Sequence, residues 1–190
     1  MKKTLFFVLL LITLKGFAQD SKFSIGVNYS IPFDHNFIAD NYNGVIDLGL
    51  DYKLYSAKVL SLGLAINVGL LISDNSVIDL NIKSYVIQPK LFAEFNISRF
   101  HPFLKIGYSS MIFRTKGFSD RFLRFRFDGM SLNNTQSGLN INPGLKYDIN
   151  NDFFVQAQYD YILLGAESPI QNSRYNVAVH IIKLGLGINL

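Results

Sequence analysis

Leu60-Ser61-Leu62-Gly63-Leu64-Ala65-Ile66-Asn67-Val68-Gly69 alternates large apolar residues with small or polar ones at every step. Successive side chains of a strand point to opposite sides of the sheet, so a period of two is the mark of a β-strand with two unlike faces. The pattern recurs on either side of this stretch. Upstream, Phe23, Ile25, Val27, Tyr29 and Ile31 oppose Ser24, Gly26, Asn28 and Ser30, and Ile46, Leu48, Leu50, Tyr52 and Leu54 oppose Asp47, Gly49, Asp51 and Lys53. Downstream, five more segments follow the rule, centred near Gln88, Ile106, Asn142, Ala157 and Gly185. Val86 and Phe92 are exceptions on the polar face of the fourth segment, and Phe103 and Met111 dilute the fifth. Tyr175, Val177 and Val179 fall out of phase with Ile182, Leu184 and Leu186, which predicts a β-bulge near Ile181.

Eight such segments predict an all-β fold, an eight-stranded antiparallel up-and-down barrel. Tight turns are expected at Ser56-Ala57, Ser98-Arg99 and Asn151-Asp152, and longer connections elsewhere. Short turns on one rim and long loops on the other, with an even strand number, are the plan of a transmembrane barrel with its short turns in the periplasm. Equal spacing from the Ser98-Arg99 turn puts Glu94 opposite Lys105 as an expected cross-strand ion pair.

The composition agrees with a lipid neighbour. Apolar residues make up 49% of the chain and charged ones only 17%, against about 25% in soluble domains. Beyond residue 18 there is no unbroken apolar run of the roughly 20 residues a membrane helix requires, so strands must do the spanning. Before it, Lys2 and Lys3 precede the apolar run Leu5 to Leu14, and Gly16-Phe17-Ala18 supplies small residues for cleavage ahead of Gln19. Residues 1–18 are therefore read as a cleavable signal peptide and 19–190 as one barrel domain. The formal charge of +4 falls to about +1 once Lys2, Lys3 and Lys15 leave with the signal, so the basic balance argues for no nucleic-acid partner. With no cysteine, the chain has no disulfide, thiolate metal site or lipidated N-terminal Cys.

Alternation alone fits a soluble barrel too, so the composition of the polar face decides which side meets lipid. That face is dominated by Gly, Ser, Asn and Gln, which fit inside a narrow cylinder, rather than by long Lys and Glu side chains, and it is assigned to the lumen. Phe23, Tyr52, Phe95, Tyr147 and Phe153 near the short turns, and Tyr29, Tyr85, Tyr161 and Tyr175 near the long loops, form two aromatic girdles. The lumen receives five cations (Lys53, Lys90, Lys105, Lys146, Lys183) and five anions (Asp47, Asp51, Glu94, Asp148, Asp160). Buried charges persist when paired, so this set is read as a self-neutralising plug rather than an ion path.

The terminal run Lys183-Leu184-Gly185-Leu186-Gly187-Ile188-Asn189-Leu190 resembles the signal by which the outer-membrane assembly machinery recognises barrels. Lys183, Gly185, Ile188 and Leu190 carry the resemblance, although the final residue is Leu where an aromatic is usual. From Gly16-Phe17-Ala18-Gln19 onward the chain is similar to the small outer-membrane β-barrels of Bacteroidetes, related in architecture to OmpA, OmpX and PorT-like proteins. That resemblance implies the bacterial outer membrane as location, with its lipid and lipopolysaccharide and the assembly machinery as partners, and names no activity.

Chemistry is sparse along the chain. His35, His101 and His180 lie on different connections. A hydrolytic site built from His180, Ser168 or Ser173 and Glu167 near the last hairpin is weighed and set aside, because geometry rather than residue presence defines a triad. Asp34, His35 and Asp40 share a loop but lack repeated ligand spacing, so neither a metal nor a cofactor is expected. The third long loop stands out, with Arg114, Lys116, Arg121, Arg124 and Arg126 interleaved with Phe118, Phe122, Phe125 and Phe127. Its alternation suits strands five and six continuing as a hairpin. Its chemistry suits a surface for anionic lipopolysaccharide or for an unidentified surface partner. The function expected is a non-enzymatic barrel acting in envelope integrity or surface interaction through its loops. A small-solute channel or a lipid-modifying enzyme are the alternatives.

Position parity makes a direct prediction. Leu64→Arg, at the middle of an apolar face, is expected to cost about 2 to 4 kcal/mol and impair assembly, while Ser61→Asn on the other face should be mild. Urea unfolding of the refolded variants measures both.

Overall fold

The computed structural model describes residues 22–73, 81–116, 134–165 and 171–190. The predicted signal peptide, residues 1–18, lies outside the described residues. Eight strands follow one another: β1 (Phe23–Phe33), β2 (Tyr42–Ser56), β3 (Leu60–Ser73), β4 (Asn81–Phe95), β5 (Phe100–Lys116), β6 (Asn134–Asp148), β7 (Phe153–Leu164) and β8 (Ala178–Asn189). Each pairs antiparallel with the next, and β1 pairs with β8 to close the barrel. Closure leaves no unpaired sheet edge, the condition for a sheet to stand in hydrocarbon. No helix among the described residues is long and apolar enough to cross a membrane.

Two short helices belong to connections on the long-loop rim: α1 (Phe37–Asn41) and α2 (Arg174–Val177). Asn36 caps α1, its side-chain oxygen accepting from the backbone N–H groups of Ile38 and Ala39. The cap turns the loop inward, so that Ile38 is 1% exposed at the mouth of the barrel. On the opposite rim, Ile97 pairs with Phe100 around the two-residue turn, where Ser98 takes a φ of 55°.

The two faces of the wall part as alternation requires. Leu48, Leu62, Leu64, Val68, Leu91, Leu139 and Leu186 are among the exposed outward residues, whereas Ser61, Gln88, Ser109, Asn142 and Asp160 are fully buried inside. Ser61 is not the tolerant position that parity alone suggests. Its hydroxyl lies 3.2 Å from both Ser56 Oγ and Asn96 Nδ2, so a larger side chain there meets packed neighbours rather than water.

The bulge predicted near Ile181 is not there. β8 keeps unbroken register with β7 from Ala178 to Ile188 and with β1 from His180 to Asn189. Val179 and Ile181 face inward in phase with Lys183, because the lumen itself becomes apolar toward this rim. The register breaks instead in β2, between Gly44 and Ile46 and between Lys53 and Tyr55. At each break two successive apolar residues face outward, Val45 with Ile46 and Leu54 with Tyr55, as a bulge's extra residue permits.

Three inward phenylalanines each lie over the glycine directly across the ladder: Phe92 over Gly63, Phe103 over Gly144 and Phe154 over Gly187. A Cβ on any of the three glycines would come within 2.3 to 2.6 Å of the ring. The missing side chain is what lets an aromatic fit inside so narrow a cylinder. Gly144→Val is therefore expected to destabilise by about 1 to 3 kcal/mol through overpacking, read as a lower urea midpoint in detergent micelles.

Candidate functional site

The lumen side chains form a continuous stack. Near the short turns, His101 Nε2 lies 2.9 Å from Asp148 Oδ2 and its Nδ1 lies 3.3 Å from Asn96 Oδ1. One layer inward, the Glu94 carboxylate receives Lys53 at 3.2 Å and Lys146 at 2.9 Å, with the Lys146 ammonium 4.7 Å from the centre of the Phe154 ring. Next, Lys105 donates to both oxygens of Asp51 at 2.7 and 2.9 Å and lies over the Phe103 ring at 5.0 Å. The expected Glu94–Lys105 pair is thus corrected. The turn centres between Ser98 and Arg99, which sets Glu94 opposite Phe103 and sends Lys105 across the lumen to β2.

The central layer is built on Lys183. Its ammonium lies 2.8 Å from Asp47 Oδ2, 3.0 Å from Gln88 Oε1 and 2.8 Å from Asp160 Oδ2. Asp47 also accepts from Asn67 at 2.6 Å and Asn28 at 3.0 Å. Gln158 donates to Asp160, and Lys90 reaches Asn67 Oδ1 at 3.2 Å and Asp160 at 3.9 Å. All ten lumen charges read from the sequence are inward; nine have an opposite charge within 4 Å, and Asp148 meets the His101 ring at 2.9 Å.

Sequence reasoning missed what lies above this layer. Toward the long loops the inward face turns apolar, with Leu71, Val86, Met111, Phe113, Ile162, Leu164, Val179 and Ile181 packed together under Ile38 and Tyr42. The signal was present in Val86 and Met111, which sit at inward positions but read only as interruptions of a polar face.

Outside the lumen, His180 makes no hydrogen bond to Ser173 among the described residues. Glu167 and Ser168 lie outside the described residues, and the His180 ring faces outward between Phe33 and Tyr161 at 5.9 and 5.2 Å. Its Nδ1 is 2.7 Å from the Tyr159 hydroxyl, and its Nε2 is 3.7 Å from Asp34. Arg174 approaches the same carboxylate at 3.9 Å, and His35 pairs with Asp40 at 3.0 Å. Desolvation, then the hydrogen bond and charge of Asp40, raise the Tyr175 phenol above its ordinary range. These contacts hold the first and last long loops together.

Of the anion-loop candidates, Arg114 is exposed near the end of β5 and Lys116 is the last residue of that strand, paired with Asn81. Arg121, Arg124 and Arg126 lie outside the described residues. In the terminal run, Lys183 and Gly185 face inward while Ile188 and Leu190 share the outward parity, and the Leu190 N–H donates to Phe23 O at 2.8 Å. Lys183 thus holds the central ion network as well as its place in that run.

Comparison with known proteins places the chain. Residues 4–189 match the family described as the outer membrane protein beta-barrel domain. No curated protein matches. Among solved structures, the chain is similar to Ail, the attachment invasion locus protein of Yersinia pestis, in complex with the heparin analogue sucrose octasulfate. The identity is 16%, with 88% of this chain and 96% of that one covered, at a TM-score of 0.57. It is similar to Neisserial surface protein A at 13% identity, 90% and 98% coverage and TM-score 0.58. The outer membrane enzyme PagL matches at 16% identity, 88% and 99% coverage and TM-score 0.52. At such identities the likeness is one of fold.

The Asp51–Lys105 pair gives the clearest test of lumen energetics. Lys105→Met alone leaves a buried carboxylate unpaired and is expected to cost about 3 to 5 kcal/mol. Adding Asp51→Leu should recover part of that loss. A double-mutant cycle on urea unfolding in detergent reads the coupling, and strictly additive losses would contradict it.

Proposed function

The chain belongs to the outer membrane protein β-barrel family and resides in the bacterial outer membrane, and on that premise we propose a non-enzymatic barrel that works through its outer loops. Its role is envelope integrity or binding at the cell surface. One observation carries the reading: the bore is filled along its length. Gln88, Glu94, Lys105, Met111, Asn142, Phe154 and Ile162 all face inward, each at most 3% exposed, and Glu94 and Lys105 are each paired with other lumen charges. A solute would have to break buried ion pairs and then displace the apolar layer under Ile38. What remains available for interaction is the exterior and the long loops.

The family's solved relatives fit several roles, so the surface chemistry of this chain supports the choice. Ail holds a polysulfated heparin analogue. In this chain the third loop and its root bring five basic residues, Arg114, Lys116, Arg121, Arg124 and Arg126, together in sequence. We take this segment as the contact for an anionic ligand, lipopolysaccharide or a surface partner. The reading against catalysis rests on His180, which is occupied by a tyrosine and the Asp34 carboxylate that tie two loops together. Kinship with the small Bacteroidetes barrels and delivery by the assembly machinery through the C-terminal run belong to the same proposal.

Purified protein in planar bilayers is expected to show no stable open conductance, since eight strands leave little free bore and the lumen charges cancel. Reproducible salt-dependent current steps would favour the channel reading instead. In parallel, Gln at Arg121, Arg124 and Arg126 should weaken lipopolysaccharide binding at low ionic strength, with the difference shrinking as salt rises. Equal affinities of variant and wild type would remove the loop as an anion contact.

A further inference from the structure

The described lysine, arginine, aspartate and glutamate side chains on the eight strands face the lumen, with two exceptions. Lys83 of β4 and Arg114 of β5 point outward. Ser84 beside Lys83 is fully buried and Ile82 packs on the interior cluster, while Phe113 beside Arg114 is 7% exposed and inward. Alternation therefore turns both cations to the outer surface of the wall. They are also direct partners across the β4–β5 ladder, which brings their Cβ atoms to about 5 Å.

Two like charges in directly opposed positions are unfavourable. Neither has a carboxylate within ion-pair distance among the described residues. The position in the wall suggests what offsets the repulsion. Ile72 lies opposite Lys83, and on the membrane side come Leu70 opposite Tyr85 and Tyr85 opposite Ile112. Tyr85 is 40% exposed. The pair thus stands at the long-loop end of the wall, where the barrel leaves the outer leaflet, directly above an apolar block. A lipid fits that order, with its phosphate beside the cations and its acyl chains against Leu70, Ile72, Tyr85 and Ile112.

We propose that Lys83 and Arg114 form a binding site for a phosphate monoester on an outer-leaflet glycolipid, the phosphorylated lipid A moiety of lipopolysaccharide. A monoester carries about −1.5 to −2 at neutral pH, matching two cations, whereas a phosphodiester offers a single charge. The guanidinium grips two phosphate oxygens as a planar fork and the ammonium adds a point charge. The site shares Arg114 with the proposed anion contact and so deepens that reading, but it requires neither a closed lumen nor Arg121, Arg124 and Arg126, and a conducting barrel would carry it equally.

The test compares full-length mature protein in phosphatidylcholine nanodiscs containing bisphosphorylated lipid A, enzymatically dephosphorylated lipid A or phosphatidylglycerol. Bound lipid is read by native mass spectrometry. Wild type should retain phosphorylated lipid A about tenfold more than either other lipid. Lys83→Gln and Arg114→Gln should each abolish most of that preference, while Lys58→Gln, on the opposite rim, should leave it intact. Stability supplies a reversal of sign. In neutral detergent each of the two variants should unfold at a higher urea concentration than wild type, since a repulsion is relieved, and in phosphorylated lipid A bilayers at a lower one. Equal retention of phosphorylated and dephosphorylated lipid A by wild type would overturn the proposal, as would equal retention of phosphatidylglycerol. Loss of the preference in Lys58→Gln, or an unchanged sign of the stability difference between the two media, would also overturn it. The wild-type comparison needs no variant to fold.

Discussion

A closed sheet of eight strands leaves an interior just wide enough for side chains to fill, and that narrowness governs the rest of this molecule. The inward charges find their partners among other inward groups, because lipid is not at hand to solvate them, while a few amide and hydroxyl atoms of Ser84, Asn140 and Asn142 stay without a partner. The ion pairs consequently reach across the lumen rather than along one ladder. Lys105 of β5 binds Asp51 of β2, and Glu94 of β4 joins Lys53 of β2 to Lys146 of β6. Lys183 of β8 reaches Asp47 of β2, Gln88 of β4 and Asp160 of β7. Except for Lys183 with Asp160, whose strands are neighbours, each such contact ties walls that the backbone hydrogen bonds do not join. For Phe92, Phe103 and Phe154, placed inside the charged part of the lumen, the opposite strand supplies Gly63, Gly144 and Gly187.

The interior is graded along its axis. Charged and amide layers occupy the part nearer the short turns, and an apolar layer under Ile38 and Tyr42 closes the part nearer the long loops. A charge network is costly to desolvate and stable only when complete. An apolar lid helps to keep it complete by excluding water from one end. The same lid depends on the loop that carries it, held by the Asn36 cap and by Asp34 beside His180 and Arg174.

Strand positions and the inward phase of the charged residues were legible in the sequence, because each strand's two faces meet chemically different surroundings and the period is two. The side chains that meet across the lumen were not. Glu94 and Lys105 are both inward, as parity requires, yet their partners depend on the centre of a turn and on the curvature of the closed wall. Ile181 shows a second limit. An inward isoleucine and an outward one look alike in sequence, so an apolar stretch of lumen reads as a phase break and invites a bulge that is absent. Lys83 was overlooked for the complementary reason, since one outward lysine has no significance until the ladder sets Arg114 beside it.

Location and architecture thus follow from the wall, and the role proposed for the chain follows from the closure of its interior. Because the native chain contains no cysteine, that closure can be tested one position at a time. Ser109, fully buried in mid-lumen, can be replaced by the nearly isosteric cysteine, and Asn172, exposed in the last long loop, by the same residue as a control. The decisive quantity is the rate at which a small charged methanethiosulfonate reagent modifies each cysteine in the folded, membrane-inserted barrel. A filled lumen predicts rapid modification at position 172 and none at position 109 until the barrel is unfolded, whereas comparable rates at the two positions would contradict it.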